Sequence, residues 1–250
     1  MILDVASVSV TGLVRKTNQD SIFSAWLNGT GLFVVADGMG GHFRGEIASQ
    51  IAAREMSGWW QRSQGQIQEM PFYAAVESLE REIGHINAMV AGEYRAMGQI
   101  GGTTLCALLV HRGAYAGFNI GDSRMYLYAR HKIRQLTMDD VWENLPEVRK
   151  LAESVDISGD LRRGRLVKAV GIDTNVSAAI QTNAIEKKMV FFLCSDGVYK
   201  YMEEKQLQHM LKKVRKPGDA VVVNELIRRD VFKNGAADNA SMITVLVRED

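Results

Sequence analysis

The order of apolar segments along this chain predicts an α+β fold in which antiparallel sheets pack on each other and helices cover the outside. Three observations carry that expectation. Strand-like runs of β-branched and aromatic residues recur over the whole chain, two long helical segments follow one another with no strand between them, and two strands are joined by the short turn His111-Arg112-Gly113. Regular βαβ winding would alternate strand with helix, so consecutive strands and consecutive helices argue against it.

The runs that read as strands are Leu3 to Val10, Leu32 to Ala36, Thr104 to Val110, Ala114 to Ile120, Arg124 to Ala129, Met189 to Cys194 and Met242 to Val247. The His111 to Gly113 link makes the third and fourth a hairpin. Apolar positions recurring at about 3.6 residues, with charges on the remaining face, predict helices over Glu46 to Arg62, Phe72 to Met97, Glu203 to Val214 and Gly218 to Val231. There is no internal repeat.

With 250 residues, 46% hydrophobic and only 3 Pro, the chain can bury a sizeable core and has no linker to divide it, so one domain over residues 1–250 is expected. A formal net charge of +1, with basic and acidic residues interleaved, gives no field that would collect nucleic acid or a lipid surface. Cys106 and Cys194 each sit inside an apolar run without metal-ligand spacing and read as core thiols. The N-terminus alternates like a strand, carries Asp4, and lacks a basic segment ahead of a long apolar one, so a cytoplasmic protein without a secretory leader is expected. No apolar run approaches the roughly 18–20 residues of a membrane helix.

The chemistry-bearing residues are acidic and stand at strand ends. Asp37 follows the run Leu32 to Ala36, Asp122 follows Ile120-Gly121, Asp196 follows Cys194-Ser195, and Asp238 precedes the last strand. A single Asp after a strand is ordinarily a turn residue. Four of them could converge from distant parts of the chain, and clustered carboxylates repel one another unless they hold cations. Oxygen-only ligation, without His or Cys, selects hard ions such as Mn²⁺ or Mg²⁺ over zinc. In Asp37-Gly38-Met39-Gly40-Gly41-His42 the glycines allow close backbone approach, so that a carbonyl such as that of Gly38 could also be a ligand. A phosphate loop of the nucleotide-binding kind would need a Lys-Ser/Thr ending that is absent. Arg15, close in sequence to Asp20, has the guanidinium suited to a phosphoryl group, although an Arg near an Asp is more often a surface ion pair.

These segments together resemble the protein phosphatase 2C family, specifically its compact bacterial members. The signals run in order from about Val8 to Val247: Arg15 with Asn18-Gln19-Asp20; the Asp37 to His42 motif with Gly45-Glu46 and Ala48-Ser49; Gly101-Gly102-Thr103-Thr104; Gly121-Asp122-Ser123-Arg124; Leu136-Thr137; Ala169-Val170-Gly171; Ser195-Asp196-Gly197; and Asp238-Asn239. No one tripeptide is specific, but the ordered series is.

The resemblance implies a four-layer α-β-β-α sandwich with two central, mainly antiparallel sheets and a metal site in a cleft at one edge. It implies a metal-dependent protein serine/threonine phosphatase in which water held between two divalent ions, Mn²⁺ or Mg²⁺, attacks the phosphoester without a phosphoenzyme. Asp37, Asp196 and Asp238 would bind one metal, Asp37 and the Gly38 carbonyl the second, and Asp122 with Asp196 a third. Asp20 would orient the water and Arg15 would grip the phosphate. Partners would be phosphorylated proteins, a serine/threonine kinase and its substrates among them, with no nucleic acid and no membrane. The cysteines are not expected to be nucleophiles, neither being placed in a Cys-x5-Arg loop. Two departures stand out: Met39 occupies the place where many relatives outside bacteria have a His, so no general acid is assigned, and Leu136 to Trp142 departs from the family where a flap borders the cleft. Asp160 to Leu166, with Arg162, Arg163 and Arg165, could touch an acidic or phosphorylated substrate or be a solvated basic face. The alternative to an enzyme is a catalytically silent module of the same fold that binds phosphoproteins or a kinase.

Overall fold

A run such as Leu32 to Ala36, apolar at every position, suits a strand whose two faces are both covered. In the computed structural model, which describes residues 1–39 and 44–249, every side chain of that run is buried. Gly40, Gly41 and His42 of the glycine-rich motif lie outside the described residues.

The chain opens with strands β1 (Ile2–Val10), β2 (Asp20–Leu27) and β3 (Thr30–Met39), followed by helices α1 (Gly45–Ile67) and α2 (Phe72–Ala96). Next come β4 (Gly102–Thr103), β5 (Leu105–His111), β6 (Ala114–Ile120), β7 (Arg124–Ala129), β8 (Lys132–Gln135), a 3-10 turn at Trp142–Asn144 and α3 (Pro146–Ala152). The last part holds β9 (Ala179–Ala184), β10 (Met189–Cys194), α4 (Asp196–Tyr199), α5 (Glu204–Leu211), α6 (Asp219–Lys233) and β11 (Ala240–Val247). One antiparallel sheet has the order β1-β11-β10-β7-β8, and the other β2-β3-β5-β6-β9, with β4 paired to the end of β3.

Period-two alternation sorts the side chains into layers. Along β3, Leu32, Val34 and Ala36 join β5, α1 and α2 in one core, while Phe33 and Val35 turn the other way to meet Phe191, Leu193, Ile243 and Val245 of the opposite sheet. The outer face of that second sheet, with Val190, Phe192, Met242 and Leu246, is covered by Leu207 and Leu211 of α5 and Val223 and Ile227 of α6. The result is helix, sheet, sheet, helix, and each large apolar side chain so buried contributes roughly 1.5–3 kcal/mol. The β5–β6 turn takes φ of 49° at Arg112 and 77° at Gly113, the double left-handed geometry that matches the twist of a two-residue hairpin.

The central strands and the four long helices fall where the sequence places them, with shifts at the ends: α1 runs on to Ile67, and α5 stops at Leu211. Strands β2, β8 and β9 and helix α3 are not foreseen by the apolar pattern. The three strands lie at or next to sheet edges and are half-exposed or exposed, so they carry no continuous apolar run. Asp37 is also not a residue that follows a strand: β3 continues to Met39, held by β2 on one side and β4 on the other. Among the described residues, no helix is long and apolar enough to cross a membrane.

Candidate active site

Antiparallel pairing brings distant segments to one edge of the sandwich. The end of β3 lies beside the start of β2, the end of β6 beside the start of β5, and the end of β10 beside the start of β11. A cleft of about 310 Å³ opens there, and Arg15, Asp37, Gly38, Asp122, Asp196 and Asp238 all line it. Asp20 lies beneath, directly across the ladder from Asp37 and 7% exposed.

Backbone contacts fix Asp37. Its N–H donates to Thr104 Oγ1 at 2.9 Å, and its carbonyl accepts from the Thr104 N–H at 2.9 Å and from Thr103 Oγ1 at 3.0 Å. Gly38 is a forced choice: a Cβ there would stand 2.1 Å from the Gly45 carbonyl oxygen and 2.7 Å from that of Gln19. The polar residues around the carboxylates serve as fasteners. Ser49 Oγ donates to the Gln19 carbonyl at 2.6 Å, the Gln19 N–H donates to Asn239 Oδ1 at 2.8 Å, and Asn239 Nδ2 donates to the Thr11 and Thr17 carbonyls. Thus the start of α1, the residues before β2 and the turn before β11 are tied together under the cleft. Gly121, which precedes Asp122, donates its N–H to Asp140 Oδ2 at 2.9 Å.

The electrostatics are those of crowded carboxylates. Burial, then the charges of Asp20, Asp196, Asp122 and Asp238, push Asp37 well above the usual carboxylate range. Burial raises Asp20 to about 6 against the lowering effect of nearby serine hydroxyls, and burial with Asp196 raises Asp122 to about 6. Two cations answer this charge: Arg15 Nη2 lies 2.7 Å from Asp238 Oδ2, and Lys200 Nζ lies 2.5 Å from Asp196 Oδ2. Burial works against the charge of Lys200, yet Asp196, Asp122 and Asp37 raise its pKa. Asp238 and Asp196 thus each carry a cation, and among the described residues no three His, Cys, Asp or Glu side chains stand close enough together to hold a metal ion. The donor set nevertheless suits a hard divalent ion: carboxylate and carbonyl oxygens without His or Cys, mutually repelling charge, and a buried Asp20 Oδ1 with no hydrogen-bond partner.

A family model described as protein phosphatase 2C matches residues 14–229. The chain belongs to the protein phosphatase 2C family. This phosphatase 2C chain is 26% identical over 242 residues to the serine/threonine phosphatase Stp of Listeria monocytogenes, spanning 94% of this chain and 92% of that protein. The structure of PppA, described as a key regulatory component of T6SS in Pseudomonas aeruginosa, superposes with a TM-score of 0.80 at 25% identity over 98% of this chain and 97% of that one. The catalytic domain of the serine/threonine protein phosphatase PstP, solved in complex with two manganese ions, has the same fold, with a TM-score of 0.80 at 24% identity over 98% and 99% of the two chains.

Within this phosphatase 2C site, several residues matter to which the sequence reading gave no role of their own. Ser195 Oγ donates to Asp20 Oδ2 at 2.8 Å and accepts the Ser241 N–H at 3.0 Å, linking β10, β11 and β2. Arg124 grips Asp139 through Nε and Nη2 and lies 3.6 Å over the ring of Tyr199, whose hydroxyl is 3.4 Å from Asp122 Oδ2. Lys200 follows Asp196 by one helical turn, a spacing that was legible as an ion pair. From the arginine-rich segment, Gly164 and Leu166 line the cleft, while Arg162 is held by Asp160 and stacks on Trp142. Cys106 and Arg112 do have the spacing Cys-x5-Arg, a match the sequence reading passed over. It forms no loop: the intervening residues are β5, the thiol is fully buried with its pKa pushed up, and Arg112 sits at the hairpin tip.

Proposed function

We propose that this chain hydrolyses phosphoserine and phosphothreonine in proteins, with Asp37, the Gly38 carbonyl, Asp196 and Asp238 holding two divalent cations, Mn²⁺ or Mg²⁺. The observation that carries the reading is that four aspartates and Arg15, drawn from segments up to 223 residues apart, line one cleft. When bound, the cations supply Lewis acidity that acidifies water and offsets the charge of the phosphoryl oxygens.

The chain's own groups do the rest. Arg15 spends one nitrogen on Asp238 and is half-exposed at the cleft, so its remaining N–H donors are available to the equatorial phosphoryl oxygens. Asp20, fixed by Ser195 through Oδ2, keeps Oδ1 as a free acceptor beside Asp37 to orient the attacking water. Met39 lines the cleft where some relatives carry His and offers no proton, so the departing serine or threonine oxygen takes its proton from water. We assign these roles within one catalytic domain over residues 1–250, acting in the cytoplasm on phosphorylated proteins, a serine/threonine kinase and its substrates foremost.

Phosphate release from a phosphothreonine peptide, with Mn²⁺, with Mg²⁺ and with chelator, tests this. Turnover that requires metal supports it. A folded, metal-binding protein that releases no phosphate would instead be the silent phosphoprotein-binding module.

A further inference from the structure

The carboxylates of the cleft are not equally free to take metal. Asp196 heads α4, and Lys200 at the end of that turn reaches back to place Nζ 2.5 Å from Asp196 Oδ2. Acid first and base four residues later is the favourable orientation of such a pair on a helical turn. The contact is also inside the site: Lys200 lines the same cleft as Asp37, Asp122 and Asp196, and its charge acts on all three. Tyr199, the preceding residue, lies under Arg124 at 3.6 Å with its hydroxyl 3.4 Å from Asp122, and Arg124 is itself clamped on Asp139, so the turn that presents Lys200 is held on its other face.

Resting on the metal reading above, we propose that the ammonium of Lys200 takes the place of a third divalent cation between Asp196 and Asp122, so that the chain holds two metals and excludes a third. Two carboxylates alone present two negative charges, which suit a hard dication. With Lys200 beside them the net charge falls to one, and an incoming dication meets a fixed positive charge at contact distance of its ligand. This reverses the expectation, drawn from the family resemblance, that Asp122 and Asp196 form a third metal site. Lys200 occupies only Oδ2 of Asp196, which leaves Oδ1 for the cation that Asp196 shares with Asp37 and Asp238.

The test counts bound metal rather than turnover. Mn²⁺ stoichiometry is measured by equilibrium dialysis with elemental analysis on the intact chain, its Lys200→Arg, Lys200→Gln and Lys200→Asp variants, with circular dichroism confirming the fold of each. Wild type and Lys200→Arg are expected to bind two Mn²⁺ per chain, and Lys200→Gln and Lys200→Asp to gain one further site of weaker affinity. Three Mn²⁺ on the wild type, or no gain in either folded neutral or acidic variant, overturns the role of Lys200. Two on the wild type with no gain leaves the phosphatase reading standing, whereas no Mn²⁺ on the wild type defeats both.

Discussion

Asp37 sits where four other carboxylates, Asp20, Asp196, Asp122 and Asp238, add to burial in raising its pKa. Two consequences of one substitution separate a catalytic cost from a folding cost. On the proposed metal reading, Asp37→Asn removes a ligand shared by both cations and should lower phosphatase activity at least about a hundredfold. It also removes a carboxyl that the apo protein holds at a penalty. Each unit by which a pKa is raised is worth about 1.4 kcal/mol, and a gain on the order of 1 kcal/mol raises the melting temperature of a chain this long by about 2–4 °C. Melting in chelator should therefore give a more stable but inactive variant. Ser195→Ala acts the other way. It removes the Ser195 hydrogen bond to Asp20 and leaves the Ser241 N–H unpaired in a buried place, so it should cost roughly 1–3 kcal/mol by urea unfolding.

The elements meet at the cleft through backbone, which makes glycine positions decisive. At Gly38 an added methyl would collide with the carbonyl oxygens of Gly45 and Gln19, neither of which can turn aside as a flexible side chain would. Gly38→Ala must push the end of β3 away from the start of α1. We expect a loss of about 1–3 kcal/mol in stability together with weaker Mn²⁺ binding, measured by titration on the same sample. How far such elements were legible follows from their surroundings. The buried strands β3, β5, β6, β10 and β11 announce themselves as apolar runs because both faces are covered. Edge strands β2, β8 and β9 do not, since solvent takes one face and the pattern thins to residues such as Lys132 and Gln135. In the site, Asp37, Asp122, Asp196 and Asp238 were legible by their place near strand ends. Lys200 and Tyr199 were not singled out, because a lysine after a short acidic turn looks like any surface pair until the turn is placed in the cleft.

At the scale of the whole molecule, the clustered acids tie stability to pH and to metal. Asp20 and Asp122 have folded-state pKa values near 6, above the ordinary carboxylate value of 3.8. A raised carboxylate pKa means that the folded chain keeps a proton the unfolded chain has released. That stabilisation is fully present below about pH 4 and is lost as pH rises through about 6. Metal relieves the repulsion, so the rise in melting temperature given by Mn²⁺ should be small near pH 4 and grow towards pH 7. A saturating excess of a hundred times the dissociation constant adds about 2.7 kcal/mol. A metal effect independent of pH would count against carboxylate ligation.

The central claim is that the aspartates of the cleft hold the cations that make this chain a protein phosphatase. Its most direct test is the Mn²⁺ dependence of phosphothreonine-peptide hydrolysis, followed side by side for the wild type, Asp37→Asn and Asp238→Asn. The account predicts saturable activation of the wild type, silence in chelator, and loss of turnover in both variants at Mn²⁺ levels that saturate the wild type. Equal turnover with and without chelator, or full activity in the folded Asp37→Asn variant, would contradict it.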